Sequence, residues 1–322
     1  MPEKSTLPGI RIGHASDFKG LTGCTVILCE GGAVCGVDIR GSAAGVRDTL
    51  VCEPGHLVEC IQAILFTGGS AFGLEAAGGV MEYLESRGAG FAAGSHRIPI
   101  VPAAVIYDLG VGSAKARPNA GMARWACQNA TRKVTEGSIG AGTGAAVGKL
   151  LGMPQAMKAG VGFESLSFSK GLLVQALAVV NALGDVVDPE NGQVIAGARK
   201  SPNSSEYAGT TLQMLQGRTR KEFGGSNTTL VAVMTNAALN KVQAAKMAQM
   251  AQDGMARAVR PVHTLFDGDA VFALSAGQKR ADLNVLGVAA AEVTAQAIVR
   301  AVKTARSLGG VPALNDLPQS TS

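Results

Sequence analysis

Glycine accounts for 43 of the 322 residues, nearly twice ordinary usage, and it follows no fixed period. Without a Gly-X-Y repeat a triple helix is excluded. Charged residues make up only 16% and hydrophobic residues 47%, so the chain is not a disordered polymer either. What remains is a globular fold in which small side chains let backbones approach closely. At this length one large α/β domain or two smaller ones are both available.

The net charge of +5 comes from scattered residues. The densest basic cluster, Arg218, Arg220 and Lys221, is only three residues strong and is followed directly by Glu222, which argues against nucleic acid as a partner. No run of roughly 18 uncharged apolar residues is present to span a bilayer, and the first twenty residues lack the apolar segment of a secretory signal. A cytoplasmic protein with no membrane partner is expected. Cys24, Cys29, Cys35, Cys52, Cys60 and Cys127 form no Cys-x-x-Cys pair and read as buried free thiols. His14, His56, His96 and His263 have no metal-ligand spacing, so no metal site and no cofactor is expected.

Along the chain, Cys24–Val37 reads as two short strands broken at Gly31-Gly32 into a hairpin, and residues 55–65 show helical spacing. A second helix is expected over 74–84, a strand over 98–107 and a buried strand from Gly171 to Asn181. Residues 199–226 are polar and turn-forming, the best loop candidate. An extended run restarts at Asn227. It is followed by a helix over 241–259 with Asn240 as N-cap and Val242, Ala245, Ala248, Met255 and Val259 on one stripe. A strand at 269–274 then leads into a long helix with Leu286, Ala290, Val293, Ala297, Ala301 and Ala305 at helical spacing. The alternation predicts an α/β fold.

The segment from Gly137 to Lys149 invites a phosphate-binding reading, because backbone amides in such loops cradle anions. It fails the P-loop pattern: Thr143 stands where the first glycine belongs and Leu150 where the Ser/Thr belongs. Gly142, Gly144 and Gly148, like Gly88, Gly90 and Gly94, loosely follow a dinucleotide fingerprint without the ribose-binding acid. A tight turn near a ligand or a second strand fits the same glycines.

Thr228 stands at the junction of the polar loop and a buried strand. Cleaving the Asn227–Thr228 bond would give it an α-amine beside its own hydroxyl, and an α-amine titrating near ~7.7–8.0 is a competent general base. Asp267 and Asp269 lie two apart before the next strand and can share one side if extended, oriented to tune an ammonium or hydroxyl. Taken singly, each has a plainer reading: a strand that begins with Thr, and an Asp-Gly turn.

Together the runs Gly225–Asn236 and Arg260–Leu274, with Phe66–Glu75, Ala104–Asp108, Gly140–Lys149 and the strand ending at Asn181, occur in the order of one family. They resemble the self-processing N-terminal-nucleophile aminopeptidase/amidase family that includes the D-alanyl-esterase/L-aminopeptidase, the β-peptidyl aminopeptidases and the nylon-oligomer (6-aminohexanoate-oligomer) endo-hydrolase. The resemblance implies a four-layer αββα sandwich, one catalytic domain over residues 1–322 self-cleaved into 1–227 and 228–322, and a homotetramer. It implies Thr228 as nucleophile, Asp267 and Asp269 as the acids that position it, and Asn181 and Tyr107 as groups binding the scissile carbonyl or its oxyanion. Lys149 resembles a lysine held near the nucleophile, and Thr67, Gly68, Gly69 and Ser70 would wall the substrate pocket.

Thr228 with Asp-Gly-Asp is similar to the nylon-oligomer branch, which favours an amide hydrolase acting on linear amides. An aminopeptidase releasing L-, D- or β-amino acids is the alternative. A non-catalytic nucleotide- or metabolite-binding protein built on the glycine-rich loops is the alternative of another class.

Overall fold

The computed structural model describes residues 4–219 and 227–317. The Arg220, Lys221 and Glu222 part of the basic cluster, and the Gly224-Gly225 pair before Thr228, lie outside the described residues. Nine strands form one hydrogen-bonded sheet: β1 (Arg11–Asp17), β2 (Thr22–Ile39), β3 (Val46–Arg47), β4 (Cys60–Thr67), β5 (Ala103–Val105), β6 (Val161–Phe168), β7 (Leu172–Asn181), β8 (Thr228–Ala237) and β9 (Ala270–Lys279). Their order is β6-β7-β8-β9-β2-β4-β5-β3, with β1 also on β2. The helices used below are α1 (Ala77–Glu85), α2 (Ala120–Gln128), α3 (Thr210–Leu215), α4 (Lys241–Ala258) and α5 (Leu283–Lys303).

Side-chain parity converts this one path into four layers. On β7, β8 and β9, Val174, Ala176, Val231, Val233, Val271 and Ala273 face α4 and α5. The alternate residues Leu177, Val179, Leu230, Met234 and Phe272 face a second core shared with Ile27, Ile64 and Phe66. On the far side of β2 and β4, Val26, Leu28, Ala63 and Leu65 pack on Val80 and Leu84 of α1 and Ala123 and Cys127 of α2. The layering is therefore helix, strand, strand, helix, the expected αββα sandwich. Strands covered on both faces carry continuous apolar runs, which is why β8 reads TTLVAVMTNA without alternation.

Several expectations change. Gly31-Gly32 is not a hairpin: β2 runs on for 18 residues and absorbs the pair as an irregularity in its register with β4 between Leu28 and Ala33, with Gly32 at φ 88°. That continuity lets β2 pair with β1 and β4 at one end and β9 at the other. Residues 60–67 are strand rather than helix, because β4 is hydrogen-bonded on both sides, to β2 and β5; short apolar runs satisfy both periodicities. Pro99 and Pro102 split the expected 98–107 strand, leaving His96–Ile98 in a separate ribbon and Ala103–Val105 in the sheet. Within 199–226, Thr210–Leu215 forms α3.

Helix α4 begins at Asn240 in a full capping box with Gln243, worth about 1 kcal/mol. Its buried stripe includes Ala244, Met247, Ala248, Ala251, Met255 and Ala258; of the expected stripe, Ala248, Met255 and Val259 are buried, whereas Val242 is 62% exposed and Ala245 half-buried. Helix α5 keeps its stripe, with Leu286, Ala290, Val293, Ala297 and Ala301 buried and Ala305 buried just beyond it. At 21 residues α5 is long and apolar enough to cross a membrane, yet 67% of its most apolar window is buried inside the fold. All six cysteines are free and only Cys60 is more than marginally exposed. Burial holds Cys24, Cys29 and Cys35 well above the usual thiol range and pushes Cys127 up to about 12, so the thiolate form is suppressed.

The glycines let these layers touch. A Cβ on Gly254 of α4 would lie 2.0 Å from the Ala291 carbonyl oxygen of α5, whereas one on Gly78 of α1 would meet nothing within 4 Å. The two helical glycines should respond oppositely to the same change. Gly254→Ala should lose about 1–3 kcal/mol of unfolding free energy by overpacking, and Gly78→Ala should gain about 0.5–1 kcal/mol by helix propensity. Denaturant midpoints of the two variants check this.

Candidate active site

Thr228 opens β8 at a point where three strand ends meet. On one side its antiparallel partner is Asn181, the last residue of β7. On the other, the parallel pairing of β8 with β9, Leu230 opposite Ala270, extends back to a bridge between Asn227 and Asp267. Gly268 therefore lies beside Thr228, and Asp267 and Asp269 flank it. Asn227 and Thr228 are each 1% exposed. The Thr228 hydroxyl donates to the Asn227 carbonyl oxygen at 2.6 Å, and the Gly268 N–H donates to the same oxygen at 2.6 Å.

The two acids hold different parts of the backbone. Asp269 Oδ1 accepts from the Thr229 N–H at 2.7 Å, while its Oδ2 takes the His263 N–H at 3.1 Å and faces His263 Nδ1 at 2.9 Å. Asp267 Oδ1 accepts from the Leu183 N–H at 3.3 Å, and Oδ2 takes the Thr264 N–H at 3.0 Å and the Thr264 hydroxyl at 2.5 Å. Burial, then the neighbouring Asp269 charge, push the Asp267 carboxyl above its usual range, against the hydrogen bonds from Thr264 and Leu183 that favour its charged form. Sequence reading missed His263, Thr264 and Leu183. The signal the sequence carries for two of them is the spacing His263-Thr264-x-x-Asp267-x-Asp269.

Lys149 is buried, not a surface charge. Its Nζ donates to the Asn181 carbonyl oxygen at 2.8 Å and Oδ1 at 2.9 Å, which sets an ammonium beside the strand end that faces Thr228. Asn181 Nδ2 donates to the Tyr107 carbonyl oxygen at 3.0 Å, so in the intact chain Asn181 and Tyr107 are bonded to each other, with Tyr107 engaged through its backbone. The Thr67–Ser70 turn joins this end through Ile106: the Ile106 N–H donates to Thr67 O at 2.8 Å and the Ser70 N–H to Ile106 O at 3.0 Å. Its left-handed Gly69, at φ 80°, gives its N–H to buried Asp108 at 2.7 Å, and a Cβ on Gly68 would lie 2.1 Å from Asp108.

The glycine-rich segment is not an anion cradle. The Gly142 and Ala145 carbonyl oxygens turn inward onto the fully buried Lys158 ammonium at 3.0 and 2.7 Å, and Ala159 O joins them at 2.7 Å. Desolvation pulls the Lys158 pKa down to about 7. Glycines there give room for stacking: a Cβ on Gly142 would meet Gly160 backbone at 2.6 Å, and one on Gly148 would meet Ala198 N at 2.1 Å.

The sequence profile of peptidase family S58 matches residues 6–314. An uncharacterized aminopeptidase of Mycobacterium tuberculosis (strain ATCC 25618 / H37Rv) is 38% identical over 339 aligned positions, covering 96% of each chain. The 6-aminohexanoate-oligomer endohydrolase of Kocuria sp. (strain KY2) is 31% identical, covering 92% of this chain and 84% of that one. Among solved structures, the L-aminopeptidase D-Ala-esterase/amidase from Ochrobactrum anthropi, described as a variant of the Ntn hydrolase fold, superposes with a TM-score of 0.72 at 17% identity, covering 95% of this chain and 87% of that one. A Burkholderia sp. beta-aminopeptidase gives 0.68 at 20% identity, covering 98% and 93%. At these identities the two structures speak for the fold.

The Thr264 hydroxyl favours the Asp267 carboxylate, so Thr264→Val should raise the Asp267 pKa further. A carboxyl whose folded pKa lies above its unfolded value leaves stability intact below the unfolded pKa, and that stability is lost as pH rises through the folded one. The variant should therefore lose about 1.5–3 kcal/mol at pH 7 and measurably less at acid pH, where Asp267 is protonated in both proteins. Thr264→Ser should restore the parent profile. Urea unfolding across pH reads the difference.

Proposed function

The chain belongs to peptidase family S58 and is an amide hydrolase of the N-terminal-nucleophile fold; from that premise we propose that Thr228 is its nucleophile, released when the chain cuts itself after Asn227. The observation that carries the reading is the buried Thr228 hydroxyl lying 2.6 Å from the oxygen of the carbonyl it would attack. In maturation the hydroxyl oxygen bonds to the Asn227 carbonyl carbon and the C–N bond breaks, with the hydroxyl proton passing to the departing Thr228 nitrogen. Water then hydrolyses the ester to an Asn227 carboxylate and a free Thr228 hydroxyl. Fragments of 227 and 95 residues result. They stay together because β8 and β9 of the smaller pair with β7 and β2 of the larger.

In turnover the new α-amine, titrating near ~7.7–8.0, takes the hydroxyl proton as Thr228 attacks a substrate amide, and water releases the acyl-enzyme. Asp269 fixes the strand through Thr229, Asp267 clamps the 181–184 and 264–267 loops together, and Lys149 brings positive charge beside Asn181. Asn181 and Tyr107 are assigned to the substrate carbonyl and the Thr67–Ser70 turn to the pocket wall. The substrates proposed are linear amides like those of the 6-aminohexanoate-oligomer endohydrolases. The mycobacterial aminopeptidases at 38% identity favour a second reading, removal of N-terminal residues from short peptides. We place the enzyme in the cytoplasm, a setting in which six free cysteines stay reduced. The exposed Val242, Val285 and Val288 of α4 and α5 support packing of copies, proposed as a homotetramer.

N-acetylated and free oligoamides separate the two readings. An endo-hydrolase should cleave both within a few-fold of each other, whereas an aminopeptidase should lose the blocked ones. Thr228→Ala should lower hydrolysis of either by ~10⁶-fold, and a Thr228→Ala protein that retains activity defeats the assignment.

A further inference from the structure

We propose that the backbone N–H of Gly268 is the oxyanion donor for self-cleavage, and that position 268 is glycine to leave room for the nucleophile. The proposal rests on Thr228 attacking the Asn227 carbonyl. That carbonyl oxygen takes both the Thr228 hydroxyl and the Gly268 N–H, each at 2.6 Å, so the donor already sits where negative charge develops as the Oγ1–C bond forms and the carbonyl π pair moves onto oxygen. When that pair returns and expels the Thr228 nitrogen, the hydroxyl proton goes with the nitrogen and Gly268 keeps its own.

The donor is held from both sides. Asp267 O accepts from the Ala43 N–H at 2.8 Å, Asp269 O from the Arg40 N–H at 3.1 Å, and the Asp267 N–H is tied to Thr264 O at 3.0 Å. With its neighbours bound to the 40–43 segment and to Thr264, the Gly268 peptide needs no reorganisation to meet the oxyanion, the condition under which such a donor contributes most. Asn181, the strand partner of Thr228, has its amide nitrogen on Tyr107 O at 3.0 Å.

The glycine is explained by space rather than by turn geometry. Gly268 is absent from the glycines with positive φ, so its backbone is open to any residue. A Cβ there would lie 2.8 Å from Ala43 O and 2.9 Å from Thr228 Oγ1, displacing the attacking oxygen. The middle residue of Asp-Gly-Asp thus belongs to the reaction as much as the acids beside it.

The test replaces Gly268 by glycolate in cell-free translation of the full chain, exchanging the N–H for an ester oxygen and adding no atom near Thr228. Self-cleavage, followed by denaturing electrophoresis, should slow by ~10²–10³-fold relative to the all-amide chain, while the same exchange at Gly78 leaves it unchanged. Cleavage within three-fold of the all-amide rate overturns the donor assignment and leaves Thr228 standing; an all-amide chain that never cuts at Asn227 overturns both. An independent measurement covers an ester chain that fails to fold. In Thr228→Ala protein labelled with ¹⁵N-Gly and ¹³C′-Asn, a through-hydrogen-bond coupling between Gly268 and Asn227 is expected, and its absence overturns the proposal.

Discussion

The parallel pairing of β8 with β9 is the interaction on which the site depends. Because the register that sets Leu230 opposite Ala270 continues back along both chains, Asn227 and Asp267 meet in a bridge, and the contacts at Thr228 follow within two residues of it. Thr228 falls opposite Gly268, Thr229 falls within reach of Asp269, and the antiparallel partner β7 ends with Asn181 against Thr228. A slip of one residue would turn the Thr228 side chain to the opposite face of the sheet. Apolar side chains on both faces of β7, β8 and β9 fix that register.

Around this junction the charged and amide side chains are buried with hydrogen-bond partners, while the Thr229 hydroxyl and His263 Nε2 are buried without one. Lys149, Asn181, Asp267 and Asp269 are each 5% exposed or less, and each makes at least one short hydrogen bond to backbone or side chain. Leaving such groups unpaired would cost several kcal/mol. The network therefore holds the loops after β7 and before β9 in one arrangement around Thr228. Lys158 does similar work, gathering two carbonyls of the glycine-rich turn and that of Ala159.

Much of this was legible in the sequence for a physical reason: strands buried on both faces and long amphipathic helices carry strong local patterns. The extended run at Thr228, the helix after Asn240 and the buried stripe of α5 all lie where those patterns put them. The errors fall where distant partners decide. Gly31-Gly32 suits a tight turn or a bulge equally, and only the pairing of β2 with β4 and β9 selects the bulge. The apolar run at 60–67 becomes a strand because β2 and β5 are waiting on either side. At the site, the Thr228 and Asp267/Asp269 pattern was visible, but its supports were not. His263 and Thr264 act through hydrogen bonds to those acids, and the N–H of Gly268 belongs to the backbone, which carries no letter.

The glycine content also acquires a specific physical role. At Gly254 and Gly142 it lets backbones stack across layers, at Gly68 it admits a buried carboxylate, and at Gly268 it clears space beside a hydroxyl. The central claim is that this packing surrounds a threonine made N-terminal by the protein itself. Intact-mass analysis of the purified wild-type chain, with N-terminal sequencing of the smaller species, tests it most directly. Two species divided between Asn227 and Thr228 are expected, the smaller beginning with Thr228. A single chain of 322 residues after prolonged incubation, or a smaller species beginning at any other residue, would contradict it.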